Sequence, residues 1–138
     1  MFDPKTKFLV IDDLKTMRMI VKKTIAGMGY TNVIDAEDGV QGYDALMKAQ
    51  ESGDPVQCVV SDWNMPNMTG LELLKKVRVH EFYKAVPFVL VTAENEQSQV
   101  IEAAKAGVSN YIVKPFTPAD FQTKLQQVYN RHFAKKAA

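Results

Sequence analysis

Short apolar runs alternate along this chain with segments whose apolar residues repeat at helical spacing, and that alternation dictates what it can fold into. Phe8-Leu9-Val10-Ile11 is continuously apolar, as a strand buried on both faces must be. Cys58-Val59-Val60, Phe88-Val89-Leu90-Val91 and Tyr111-Ile112-Val113 have the same character, and Val33-Ile34 marks a weaker second strand. Between them Met17, Ile20, Val21, Ile25 and Met28 outline a helix that Gly29 stops. Val40, Tyr43 and Met47 mark a second, broken at Ser52-Gly53-Asp54-Pro55. Leu71, Leu74 and Val77 belong to a third, Val100, Ile101 and Ala104 to a fourth, and Phe121, Leu125 and Val128 to the last. Strand–helix units in strict alternation require a parallel sheet covered by helices on both sides. Right-handed crossovers then leave a doubly wound α/β fold.

Composition sets the remaining bounds. With 138 residues, 46% hydrophobic and 24% charged, the chain fits one domain, 1–138, able to bury a core without staples. Its single cysteine, Cys58, has no intrachain partner, which fits a reducing, cytoplasmic setting. A formal charge of +1 gives no reason to expect nucleic-acid binding. No apolar run suits a signal peptide or a membrane span. Arg131 to Ala138 is expected to be a frayed basic tail, and His80 and His132 solvated surface residues.

A doubly wound sheet binds ligands at the carboxyl ends of its strands, near a topological switch point. In the flavodoxin-like (βα)5 arrangement, with strand order 2-1-3-4-5, Asp12 and Asp13 after the first strand, Asp62 after the third, Thr92 at the end of the fourth and Lys114 at the end of the fifth share one edge. Singly, each has an ordinary reading: an Asp pair caps a helix, a Thr ends a strand, a Lys-Pro makes a turn. Together they form a pocket of three carboxylates and one ammonium. Such a set repels itself unless a hard cation joins it, and Mg2+ (or Mn2+) suits carboxylate, carbonyl and water ligands while leaving positions for phosphate oxygens. A carboxylate there can act as nucleophile and form an acyl phosphate, and Asp62 is central. Lys114 and the Thr92 hydroxyl would then neutralise and hydrogen-bond the phosphoryl oxygens.

These residues resemble the receiver domains of two-component response regulators, from about Lys7 to Tyr129, and among them the stand-alone chemotaxis members. The resemblance is carried by Phe8-Leu9-Val10-Ile11-Asp12-Asp13, Ala36-Glu37-Asp38-Gly39, Ser61-Asp62-Trp63-Asn64-Met65-Pro66-Asn67-Met68, Val91-Thr92-Ala93-Glu94 and Tyr111-Ile112-Val113-Lys114-Pro115-Phe116-Thr117. It implies that Asp62 accepts phosphate from a phosphohistidine on a histidine kinase. It further implies that Asp13, Asp62 and the Asn64 backbone carbonyl ligate Mg2+, with Asp12 acting through water. Thr92 and Lys114 would contact the phosphoryl group, and Asn64 and Glu94 would tune its loss. A cis peptide is implied at Lys114-Pro115. Tyr111, Val100, Phe116 and Lys124 would lie on a switching face, formed by the fourth helix, fifth strand and fifth helix, that binds a target such as the flagellar motor switch. The implied protein is a monomer with a signalling rather than an enzymatic role, one that phosphorylates and dephosphorylates itself and leaves room for a phosphatase partner.

Departures from the pattern are the non-basic Asn95-Glu96-Gln97, Gln127 where a basic residue is common, and a longer loop from Glu51 to Pro55. The same chemistry serves a phosphate sink or a regulator of a non-flagellar partner. Two other classes fit poorly. A phosphatase with an Asp nucleophile needs a second Asp where Leu14 stands, and Asp12-Asp13-Leu14-Lys15 would repel the anionic cofactor of an electron carrier. With no appended module expected after the fifth helix, output should pass through protein contact.

Overall fold

The computed structural model describes residues 2–93 and 97–133, the side chains of Gln97 and Ser98 excepted. Strand and helix alternate without a break: β1 (Phe8–Ile11), α1 (Lys15–Gly27), β2 (Val33–Ala36), α2 (Gly39–Glu51), β3 (Cys58–Asp62), α3 (Gly70–Arg78), β4 (Phe88–Thr92), α4 (Gln97–Lys105), β5 (Asn110–Val113) and α5 (Pro118–His132). All strand pairs are parallel, in the order β2-β1-β3-β4-β5. This is the doubly wound arrangement that the sequence pattern requires.

Alternate residues of the central strands feed two cores. Leu9, Ile11, Val59 and Leu90 join Leu46, Leu73, Leu74 and Val77 on the side of α2 and α3. Phe8, Val10, Val60, Val89 and Val91 join Val21, Ile25, Phe121, Leu125 and Val128 on the side of α1 and α5. Both faces being covered explains why these strands are apolar throughout instead of alternating. Cys58 lies in the second core, and burial pushes its thiol far up, leaving it inert.

Local signals fix the helix starts that frame the carboxyl edge. Thr69 and Glu72 exchange side chain-to-backbone hydrogen bonds at the start of α3, and Thr117 and Asp120 do so at α5, where Pro118 follows the cap. Gly70 begins α3 directly against β3, where a Cβ would collide with the Asp62 carbonyl. No helix among the described residues is long and apolar enough to cross a membrane.

Several expectations need correction. In α2 the buried stripe is Gly42, Leu46 and Ala49, while Val40 is 44% exposed. In α4 the buried residue is Ala103; Ile101 is 48% exposed and Ala104 also faces solvent. Ile20 and Met19 on α1 are exposed too. In α2 and α4 the small residues Gly42, Ala49 and Ala103 take inward positions, while Val40 and Ile101 are left outside. The chain is not frayed from Arg131: α5 runs to His132, and Arg131 Nη1 donates to the Ser109 carbonyl at 3.0 Å. Neither histidine is simply solvated. His80 Nδ1 accepts from the backbone of Phe82 and Tyr83, and His132 Nε2 lies 2.7 Å from Ser109 Oγ. Residues 134–138, together with Glu94, Asn95 and Glu96, lie outside the described residues. The loop after Glu51 is pinned by an ion pair of 3.0 Å between Asp54 and Lys7.

Candidate functional site

The ends of β1, β3, β4 and β5 build the site. Asp12 follows β1 and is 3% exposed; its Oδ1 accepts from Leu14 N–H at 2.9 Å, which turns the chain into α1. Asp13 beside it is exposed. Asp62, the last residue of β3, is 8% exposed, and its Oδ1 accepts from Trp63 N–H at 3.0 Å. One carboxylate oxygen from each of Asp12, Asp13 and Asp62 falls within 4.8 Å of the others.

Lys114 enters from the end of β5. Its Nζ lies 3.2 Å from Asp62 Oδ1 and 3.4 Å from Asp12 Oδ2, and its backbone N–H donates to the Thr92 carbonyl at 2.7 Å. The peptide bond from Lys114 to Pro115 is cis. Thr92 closes β4 and is buried, with its hydroxyl 3.5 Å from Gln99 Oε1 in α4.

Burial pushes the Asp62 carboxyl above the usual carboxylate range, and the neighbouring Asp12 carboxylate adds to the rise; Lys114 pulls the other way. Three carboxylates thus face one ammonium. Converging oxygen donors with excess negative charge suit a divalent hard cation, so the residues present fit Mg2+.

The other sequence candidates divide. Asn64 is exposed in the loop between β3 and α3. Glu94 lies outside the described residues. Tyr111 and Lys124 stand together, the ammonium 4.9 Å from the ring centroid, and Val100 is partly buried on α4. Phe116 does not pack with Tyr111. It meets Phe121 at 5.5 Å between centroids, in the α1/α5 core, whereas Tyr111 packs against the other core.

Sequence reasoning missed Arg18. Its Nη1 donates to the Asp12 carbonyl at 2.8 Å while Nε reaches Asp35 at 3.1 Å, tying the ends of β1 and β2 together. A cation one turn into the helix that follows an acidic pair was the available signal. The loop after Asp62 also touches α2 through Asp38 and Asn67, at 2.8 Å.

A family model described as the response regulator receiver domain matches residues 8–126. The chain belongs to the response regulator receiver family. This receiver is 46% identical over 132 residues to a chemotaxis protein CheY homolog of Campylobacter jejuni, covering 96% of this chain and 98% of that one. It is 45% identical over 122 residues to the chemotaxis protein CheY1 of Helicobacter pylori, covering 88% of this chain and 95% of that one. Among solved structures it resembles the chemotaxis response regulator CheY4 of Vibrio cholerae, with a TM-score of 0.80 and 34% identity over 90% of this chain and 98% of that one. Membership places the receiver in phosphorylation-dependent signalling, between a histidine kinase phosphodonor and a downstream target.

Proposed function

We propose that this receiver is a cytoplasmic chemotaxis switch in which Asp62 is the phosphoacceptor and the target is the flagellar motor switch. The observation that carries the reading is the convergence of Asp12, Asp13 and Asp62 within 4.8 Å, with Lys114 3.2 Å from Asp62. A carboxylate oxygen of Asp62 attacks the phosphorus of a kinase phosphohistidine. The P–O bond forms as the P–N bond breaks, and the imidazole leaves with the electron pair and takes up a proton. Asp13, Asp62 and the Asn64 carbonyl would hold Mg2+ (Mn2+ suits the same donors), with Asp12 acting through water. Held there, the ion would supply positive charge to the phosphoryl oxygens.

Lys114 exchanges its carboxylate partners for a phosphoryl oxygen, and the Thr92 hydroxyl donates to another. Asn64 and Glu94 steer the water that later hydrolyses the acyl phosphate. Moving the Thr92 hydroxyl toward the phosphoryl group opens space beside β4, into which Tyr111 rotates. Tyr111, Lys124 and Val100 then present an altered face on α4, β5 and α5, with Phe116 acting from beneath through Phe121. The similarity to chemotaxis proteins of Campylobacter and Helicobacter supports this target.

The test is capture from a lysate of the source cells by immobilised protein, with and without treatment by a small acyl phosphate and Mg2+. Retention of a motor-switch component by the phosphorylated form alone is expected. Capture of a kinase but no motor component would instead assign a phosphate sink or a regulator of another partner.

A further inference from the structure

The loop leaving Asp62 is fastened at three places, and the third belongs to another helix. At its start Trp63 N–H donates both to the Val91 carbonyl at 2.9 Å and to Asp62 Oδ1 at 3.0 Å. At its end Gly70 N–H donates to the Trp63 carbonyl at 2.9 Å, closing residues 63–69 onto the head of α3. Between them the chain reverses at Asn67, the non-glycine residue with positive φ among the described residues, at 68°. Asn tolerates this left-handed conformation better than other side chains, because its short amide can bond locally.

Here the amide does more. Asn67 Nδ2 donates to Asp38 Oδ2 at 2.8 Å, and Gly39 N–H donates to the Met68 carbonyl at 3.2 Å, so the loop tip is bound to the start of α2. The two backbones run so close that a Cβ on Gly39 would stand 2.6 Å from Met68 O. Asp38 is buried and divides its oxygens: Oδ1 caps α2 by accepting from Gln41 N–H at 2.9 Å, and Oδ2 takes Asn67. Those bonds, Gln41 first and Asn67 second, hold its carboxyl below the usual range, so the clamp is charged and strong.

We infer that Asp38 and Asn67 are positioning residues for the metal site: their hydrogen bond fixes the loop that carries the Asn64 carbonyl and thereby sets Mg2+ affinity. A backbone carbonyl serves as a ligand only where its loop is held, and partners behind the ligands govern affinity as the ligands do. The inference rests on the proposed ligand set of Asp13, Asp62 and the Asn64 carbonyl.

Two substitutions separate positioning from folding. Asn67→Gly keeps the left-handed turn at no steric cost and removes the amide. Asp38→Ser keeps an oxygen to cap α2 but removes the second carboxylate oxygen, the one that accepts from Asn67. Calorimetric titration with Mg2+ alone, on the full chain, reads affinity. Thermal unfolding without metal reads the fold. We expect Kd for Mg2+ to rise about tenfold in each variant, with each still unfolding in one cooperative transition, a few degrees lower, and fully folded at the temperature of the titration. The double variant should lose no more than either single one, since both break the same bond. Wild-type affinity in Asn67→Gly and Asp38→Ser, with binding lost in Asp13→Asn, would overturn the inference alone. Wild-type affinity in Asp13→Asn would overturn the ligand set beneath it, and the inference with it.

Discussion

Lys114 Nζ lies 3.2 Å from Asp62 Oδ1, so the cation at the end of β5 already occupies the charge that a metal or a phosphoryl group would meet. Asp12, at 3.4 Å, shares the same ammonium. Removing that cation takes away a competitor for the carboxylates and a partner for the phosphoryl group at once.

Lys114→Gln should therefore bind Mg2+ at least as tightly as the wild type, while phosphorylation-dependent binding of the target is lost. Calorimetric titration with Mg2+ and pulldown after acyl phosphate treatment measure the two halves. Tenfold weaker Mg2+ binding, or intact target binding, would contradict the role given to the lysine.

Asp62 makes a stability prediction with a definite sign. Burial, then the Asp12 carboxylate, raises its folded pKa above the unfolded value of about 3.9. The folded state then binds more protons between the two values, and stability falls as pH rises through the folded one. At neutral pH the charged side chain therefore works against folding when no metal is bound. Asp62→Asn should unfold at a higher temperature than the wild type at pH 7 without metal. The gap should close in acid below the unfolded pKa, where both side chains are neutral. Saturating Mg2+ should reverse the order, because the ion stabilises only the chain that binds it.

His132 titrates with the opposite sign. Burial, then the Arg78 and Arg131 guanidiniums, lowers its folded pKa below the unfolded value of about 6.5. The folded state binds fewer protons in that window, so stability present above pH 6.5 is lost as pH falls through it. His132→Gln should lose less stability than the wild type between pH 7.5 and pH 5. Urea unfolding at both values checks it. An unchanged pH dependence would mean that the ring is solvated after all.

Legibility in the sequence followed the size of the side chains that face inward. In α3 and α5 the inward residues are large, and Leu71, Leu74, Val77, Phe121, Leu125 and Val128 are all buried where periodicity puts them. In α2 and α4 much of the inward face is small, with Gly42 and Ala49 beside Leu46 and with Ala103, and these small side chains carry little hydrophobic signal. The eye then follows Val40 and Ile101, which face solvent. The carboxyl edge was legible because strand ends can be counted once the alternation is fixed: Asp12, Asp62, Thr92 and Lys114 needed only the strand order to be brought together.

What the sequence left hidden were contacts between side chains and distant backbone. Arg18 reaches the Asp12 carbonyl, His132 reaches Ser109, and Asn67 reaches Asp38. None has a periodicity, and each depends on where two loops pass one another. Nothing in the chain marked Asn67 as a partner of Asp38.

Mass spectrometry after incubation with a small acyl phosphate, with and without Mg2+, tests the central assignment most directly. Wild-type protein should gain the mass of one phosphoryl group in a metal-dependent way, and Asp62→Asn should gain none. Equal modification of Asp62→Asn, or modification of the wild type that ignores Mg2+, would contradict Asp62 as the acceptor in a metal-assisted site.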